Sequence, residues 1–327
     1  MAELIRSIRG ADLAEYRALL DECFSEGPGK EETRGALLRA VRLYSTAFPL
    51  IRVLSMIGLL PRSLPRVYIC RRGERLAGAY CIRRKAPGAY YVVHVAVSSE
   101  FRRLGIASRL QEYAVRRLPA EPGLRLLARH RRQNEPQIRN AAKFGFQPYL
   151  REYTMVASGE ALTGFRRRLE PAAPGRLCRP RRRDIGHLRR RAIPKRVLDL
   201  DPTLAEPRNE KSRIMSLWNS LTVETWHSER ALKRSGRLLG AVRVFHHRLQ
   251  KTHEAEFTLD PDADETVVRE LCRGMVEALA TRHATLLRVR VWDFQPLLRE
   301  FLLAHGFQEL VERIWVYCYL GEGHRRP

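Results

Sequence analysis

The chain lacks closely spaced cysteines. Its six, Cys23, Cys70, Cys81, Cys178, Cys272 and Cys318, stand singly, which excludes a zinc ribbon or a thioredoxin-type motif and predicts free thiols in a reducing compartment. An uninterrupted apolar run is missing as well. The opening "MAELIRSIRGADLAEY" is broken by charges and does not read as a signal peptide, so a cytoplasmic location is expected. The most apolar stretch, "LYSTAFPLIRVLSMIGLLP", is interrupted by Pro49 and Arg52 and falls short of a membrane span; a partly buried helical hairpin is expected there. No metal site is expected: Asp260, Asp262 and Asp264 alternate, but the glycine and the twelfth-position Glu of a calcium loop are missing.

Acidic residues and lysine are scarce. Lys and Arg total 60 against 36 Asp and Glu, for a formal charge of +24, and nearly all the cations are arginine. Such a balance suits nucleic acid or a phosphorylated ligand, although arginine spread over the whole length marks no single footprint. "RPRRRDIGHLRRR", Arg179–Arg191, is read as a solvated helix face, with an RNA contact as the sharper alternative. A content of 44% hydrophobic and 29% charged residues is that of a globular protein, and 327 residues suggest two domains.

The two domains share one plan. "RRGERLAGAYCIRR" resembles "KRSGRLLGAVRVFHH", with Gly78 matching Gly240, and "AAKFGFQPYLREYTMVA" resembles "LLAHGFQELVERIWVYCYL", with Gly145-Phe146 matching Gly306-Phe307. The shifts are 162 and 161 residues, so two landmarks agree. Asp12 and Asp184 are expected as N-caps at the start of each half. Halves 1–157 and 177–327, with a Gly/Pro-rich linker at 158–176, follow. In the first half, strands are expected near Val67–Cys70, Ala77–Arg84 and Tyr90–Val97. A helix over Ile106–Arg117, the strand "GLRLLARH", the helix "NEPQIRNAAKF" and the last strand "REYTMVA" complete it. The class is α/β (α+β), each half a mixed, largely antiparallel sheet flanked by helices.

"HVAVSSEFRRLGIASRL", His94–Leu110, runs from strand to helix through a basic turn. A helix N-terminus offers unpaired N–H groups and the positive end of its dipole, which together bind anions. Gly105 allows close approach and positive φ, Ala107 keeps the next turn thin, and Arg102, Arg103 and Ser108 add polar contacts suited to a diphosphate. The pattern Val-x-Val-x-x-x-aromatic-Arg-x-x-Gly-x-Ala resembles the acetyl-CoA motif of the GNAT superfamily of N-acyltransferases. "NEPQIRNAAKFGF" is similar to its second motif, Asn134 preceding Gly145-Phe146 by eleven residues. The resemblance covers the first half well; in the second it rests on Leu-x-Gly-Ala and the terminal Gly-Phe. It implies tandem GNAT-like domains and acetyl-CoA as co-substrate. By it, Val95, Ala96 and Val97 form the edge that meets the pantetheine arm. The backbone of Arg102, Arg103, Leu104, Gly105, Ile106 and Ala107 holds the pyrophosphate, and Asn134 contacts the cofactor. The turn of the second half, "FTLDPDADETVVREL", has no such motif and is acidic, so that domain is expected to be a degenerate copy that is structural or shapes an acceptor pocket.

The chemistry of the resemblance is less complete. Its carboxylate positions hold Tyr91 and Arg129, and its tyrosine position holds Ala141. His94 and Tyr91 are the catalytic candidates: His94 as base, with a packing role as the alternative, and Tyr91, like Tyr90 and Tyr153, as proton donor to a thiolate or core aromatic. His130 on the next strand carries the same alternatives, and Glu100 is expected to cap the turn. The expected activity is N-acetyl transfer to a primary amine of a small molecule or peptide by a monomer or homodimer. A non-catalytic acyl-CoA-binding regulatory module and a basic RNA-associated protein are the alternatives.

Overall fold

A computed structural model describes residues 3–24, 65–119, 121–169, 177–206, 225–247, 252–280 and 285–320. The apolar stretch around Pro49 and Arg52 lies outside the described residues. Among those described, no helix is long and apolar enough to cross a membrane. The chain forms two compact units, one of residues 1–129, 135–147 and 316–327, the other of 130–134 and 148–315.

The first unit contains β1 (Glu3–Ser7), α1 (Leu13–Phe24), β2 (Arg66–Arg72), β3 (Arg75–Ala86), β4 (Ala89–Val97), α2 (Ile106–Val115), β5 (Arg125–Arg131) and α3 (Glu135–Lys143). Strands β1 to β4 pair antiparallel in chain order, and β4 pairs parallel with β5. On one face α1 packs Tyr16, Leu19 and Leu20 against Ile69, Ala79, Cys81 and Ala96. On the other, Ile106 and Leu110 of α2 press onto Gly78, where a Cβ would stand 2.9 Å from Ile106 Cγ2 and 3.1 Å from the Ala96 carbonyl. Only glycine permits that approach of helix to sheet, which accounts for the repeated Leu-x-Gly-Ala.

The second unit follows the same order: β6 (Gln147–Ser158), α4 (Gly159–Leu169), β7 (Leu177–Cys178), α5 (Arg182–Ala192), α6 (Lys195–Leu200), β8 (Thr225–Arg234), β9 (Arg237–His247), β10 (Thr252–Leu259), α7 (Glu265–Ala280), β11 (Leu286–Trp292), α8 (Pro296–Ala304) and β12 (Gln308–Tyr319). β10 pairs parallel with β11, while β6–β11, β10–β9, β9–β8 and β8–β7 are antiparallel. Gly240 repeats the role of Gly78, its added Cβ falling 2.5 Å from Leu271 of α7.

The units are not the two sequence halves. β6 pairs with β11 from Glu152↔Trp292 to Ser158↔Leu286 and so counts with the second unit. Residues 316–327 count with the first, where the Leu320 N–H donates to the Leu124 carbonyl and Cys318 Sγ to the Phe144 carbonyl. Nor is 158–176 all linker: α4 buries Leu162, Phe165 and Leu169, an i, i+3, i+7 stripe, in the second unit's core. Asp12 and Asp184 do not occupy the N-cap positions. Asp12 is buried, accepting from Arg6 and the Arg9 N–H. Asp184 stands in the first turn of α5 and pairs with Lys233. The basic run on α5 is not wholly solvated either, since Arg189 donates to the Glu206 carbonyl and Arg191 to Asp260 and the Leu238 carbonyl.

Candidate functional site

Beyond β4, residues Ser99–Phe101 make one 3-10 turn whose Ser99 N–H donates to Glu22 Oε1 at 2.7 Å. That contact holds the Glu22 carboxyl below its ordinary pKa. The capping carboxylate is thus Glu22, whereas Glu100 pairs with Arg75. The chain then turns twice through the left-handed region, at Arg103 (φ +66) and Gly105 (φ +75, ψ 8), before α2 begins. Among the described residues, no backbone N–H from Arg103 to Ser108 has an acceptor within the chain. These donors sit at the positive end of a ten-residue helix, the arrangement that binds phosphate oxygens. Arg102, Arg103, Leu104 and Gly105 are exposed there, and Ile106 is buried beneath. Ala107 is half-buried, and Ser108 donates its hydroxyl to Asn140 of α3 at 2.8 Å, so its side chain is held by the fold.

The strand leading into this turn is forked. β4 pairs with β5 only from Ala89↔Arg125 to Tyr91↔Leu127. The register with β3 slips between Cys81↔His94 and Ile82↔Val92, leaving Val93 as a bulge. A bulge bends a strand and ends pairing, and here it coincides with the parting of β4 from β5. Beyond it, the Ser98 N–H bonds back to the Ala77 carbonyl of β3, whereas the Val97 carbonyl accepts from Arg102 Nε and Cys23 Sγ. The alternation of an antiparallel ladder therefore turns the N–H and C=O of Val95 away from β3 and toward the fork, and those of Ala96 toward β3.

The bulge also gathers the chemistry. Arg83 pairs with Tyr91, Cys81 with His94 and Ala79 with Ala96. Because 79, 81 and 83 alternate onto one face, Tyr91 and His94 share the face covered by α1, which simple alternation from 91 to 94 would not give. Tyr91 stands half-buried at the base of the fork, with the Arg83 guanidinium 5.6 Å and Lys85 Nζ 5.7 Å from its ring centroid. His94 is buried, its Nε2 2.7 Å from the Tyr16 hydroxyl and its ring stacked on that of Tyr16. Nδ1 is also buried and has no partner among the described residues. Burial pushes the imidazole pKa down to about 4, so His94 is neutral at pH 7 and a weak proton acceptor. The remaining candidates scatter: Tyr90 is buried, Tyr153 lies in the second unit's core, His130 is buried and counts with the second unit, and Ala141 is buried in α3. Arg129 is exposed, and Asn134 immediately precedes α3, its N–H donating to the Arg131 carbonyl.

The second unit fills the equivalent places with its own groups. Leu259 pairs with Gly240 as Val97 does with Gly78, so Phe257 corresponds to Val95 and Asp260 to Ser98. The β9–β10 register runs without a slip. Parallel pairing of β10 with β11 extends to Glu256↔Arg290, where Glu256 is the counterpart of His94. The Phe257 carbonyl accepts from Gln295 Nε2 at 3.0 Å, and Gln295 Oε1 accepts the Trp292 N–H; at a shift of 161, Gln295 corresponds to Asn134. In the turn, Asp260 takes the Asp262 N–H and pairs with Arg191 and Arg237, and Asp264 takes the Val267 N–H. Burial raises the Asp260 carboxyl, but Arg191, the Asp262 N–H and Arg237 together hold it below the ordinary range. Carboxylates thus stand where the first unit presents open donors. Neither the bulge nor the Gln295 contact has a marker in local sequence, although the Asn134/Gln295 correspondence was available from the repeat.

Among the described residues, no group of three His, Cys, Asp or Glu is placed to hold a metal ion. Residues 48–146 match the model of the Acetyltransferase (GNAT) family. No curated protein matches the chain. Among solved structures, it is similar to a tandem GNAT protein from the clavulanic acid biosynthesis pathway, determined without AcCoA (14% identity, TM-score 0.58, covering 98% of this chain and 99% of that one). A GCN5-related N-acetyltransferase from Sphaerobacter thermophilus gives 13% identity and a TM-score of 0.55 over 97% and 95% of the two chains. One from Anabaena variabilis gives 10% and 0.52 over 98% and 73%. At these identities the likeness is one of fold. Residues 48–146 thus match the GNAT family's model, and the chain as a whole has a tandem GNAT fold.

Proposed function

We propose that the first unit binds acetyl-CoA and transfers its acetyl group to a primary amine, and that the second unit is a structural copy that binds no acyl-CoA. One observation carries this reading: an open Val95 edge leads into a turn whose N–H groups from Arg103 to Ser108 have no acceptor among the described residues, while both features are internally filled in the second unit. The pyrophosphate takes the turn donors with Arg102 and Arg103, and the pantetheine amides take Val95.

Acetyl-CoA supplies an activated acyl group as a thioester. The neutral amine attacks the carbonyl carbon, the C–N bond forms, the C–S bond breaks, and the proton shed by the amine is balanced by one delivered to the departing sulfur. Tyr91, at the base of the fork, is the proposed donor to that sulfur. His94 holds Tyr16 on the same face rather than acting as base, consistent with its depressed pKa. Positioning supplies much of the acceleration.

A non-catalytic acyl-CoA sensor is the second reading, favoured by Tyr91, Arg129 and Ala141 standing where the family pattern has two carboxylates and a tyrosine. Calorimetric titration with acetyl-CoA should give one site per chain, and absence of binding removes both readings. Release of free CoA thiol with an amine panel separates them, since a sensor releases none above the rate without amine.

A further inference from the structure

We propose, resting on the acyltransferase reading above, that the acceptor is a primary amine carrying an acidic group. The α1 face of the fork is cationic. Arg83 and Lys85 both approach the Tyr91 ring, and Tyr91↔Leu127 in the parallel ladder places Arg129, two residues on, on that same face. Arg129 is exposed, as is Arg83.

Some arginines of the unit are matched by acids: Arg6 and Arg71 by Asp12, Arg75 by Glu100, Arg84 by Glu121 and Arg109 by Glu3. Arg83 has no carboxylate partner among the described residues. Two of the α1 carboxylates are held elsewhere, Glu15 by Arg71 and Glu22 by Ser98 and Ser99.

Two consequences follow from cations where a carboxylate base is expected. A positive field lowers the pKa of a nearby ammonium, so an amine bound here sheds its proton without a dedicated carboxylate. The same field repels polycationic acceptors and attracts a carboxylate or phosphate on the acceptor, for which a guanidinium is the better-shaped partner. The same cations thus account for the missing base and select the acceptor.

The test uses the full chain with saturating acetyl-CoA and two matched pairs of amines: tyrosine against tyramine, and glutamate against 1,5-diaminopentane. The acidic member of each pair should show a kcat/KM at least tenfold higher in thiol release. Arg83→Gln should bring the two members within about threefold while leaving the calorimetric Kd for acetyl-CoA unchanged; Lys85→Gln is a second variant with the same expectation. Preference for tyramine or the diamine overturns the proposal. So does a chain that binds acetyl-CoA yet neither acetylates nor is thermally stabilised by the acidic amines. If the unaltered chain fails to bind acetyl-CoA, the underlying reading falls and takes the acceptor class with it.

Discussion

Gly105→Ala probes the turn most directly. Gly105 holds φ +75 and ψ 8 at the entrance to α2. An added Cβ meets only Nη1 of Arg109, at 2.9 Å, and that side-chain end can swing away. The cost is therefore conformational. An L-residue in the left-handed region loses about 1–2 kcal/mol relative to glycine.

Where that cost appears is the informative part. If the turn keeps its shape, folding is weakened by this amount and binding is spared. If the free protein relaxes toward a right-handed backbone at residue 105, the N–H groups from Arg103 to Ser108 no longer converge, and acetyl-CoA must restore them. A cost of about 1–2 kcal/mol then raises Kd by about 5- to 30-fold. Calorimetric titration with acetyl-CoA and urea unfolding measure the two shares, and their sum should reach about 1 kcal/mol or more. Gly73→Ala is the control. Gly73 holds φ +61 in the β2–β3 turn with nothing within 4 Å of an added Cβ, so it carries a similar backbone cost and should leave Kd unchanged. A Gly105→Ala chain with unaltered stability and Kd, or a Gly73→Ala chain weakened equally in binding, refutes the assignment of the turn.

Three further outcomes are expected. His94 takes up its proton at about 4 when folded against an ordinary 6.5, so between those values the unfolded chain binds more protons. Stability present above pH 6.5 is lost as pH falls toward 4, by about 3 kcal/mol, and His94→Gln should flatten that segment of a urea-midpoint profile. Gln295→Ala strips the Phe257 carbonyl and Trp292 N–H of their buried partner and should cost about 3 kcal/mol in urea unfolding, with titration still giving one acetyl-CoA site. Phe165→Ala should cost about 3–5 kcal/mol, because the ring is fully buried and meets Phe307 edge-on at 5.0 Å; a loss under about 0.5 kcal/mol would return α4 to the status of a linker.

Much of the fold was legible because its signals are local. The helix after the glycine turn, the strands around Ala77–Arg84 and Tyr90–Val97 and the short helix after Asn134 follow from periodicity, and the Gly78/Gly240 match reflects a helix pressed onto a sheet. Other features depend on long-range partners. "REYTMVA" reads as a strand, but nothing within it says that it pairs with "LLRVRVW". The Leu162, Phe165, Leu169 stripe is diluted by Gly159, Gly164 and three arginines, so the segment reads as linker until the second unit's core is seen beneath it. The bulge at Val93 lies in the run Tyr-Tyr-Val-Val, which carries no glycine or proline to announce it, yet it decides that Tyr91 and His94 share a face.

The contrast between the two units has an energetic logic. A backbone carbonyl or N–H shut off from water without a partner costs about 1–3 kcal/mol, so a copy that closes its cleft must supply the partners from its own chain. The second unit does so at each aligned position: Gln295 at Phe257, continued β10–β11 pairing at Glu256, and aspartates in the turn. Among the described residues, the first unit leaves the matching groups at Val95 and from Arg103 to Ser108 without an acceptor or donor. Two copies of one plan have thus met the same demand differently. In one the chain supplies the missing hydrogen-bond partners. In the other, on the function proposed above, a ligand whose amides and phosphates fit the demand meets it, held through the residues that differ between the copies.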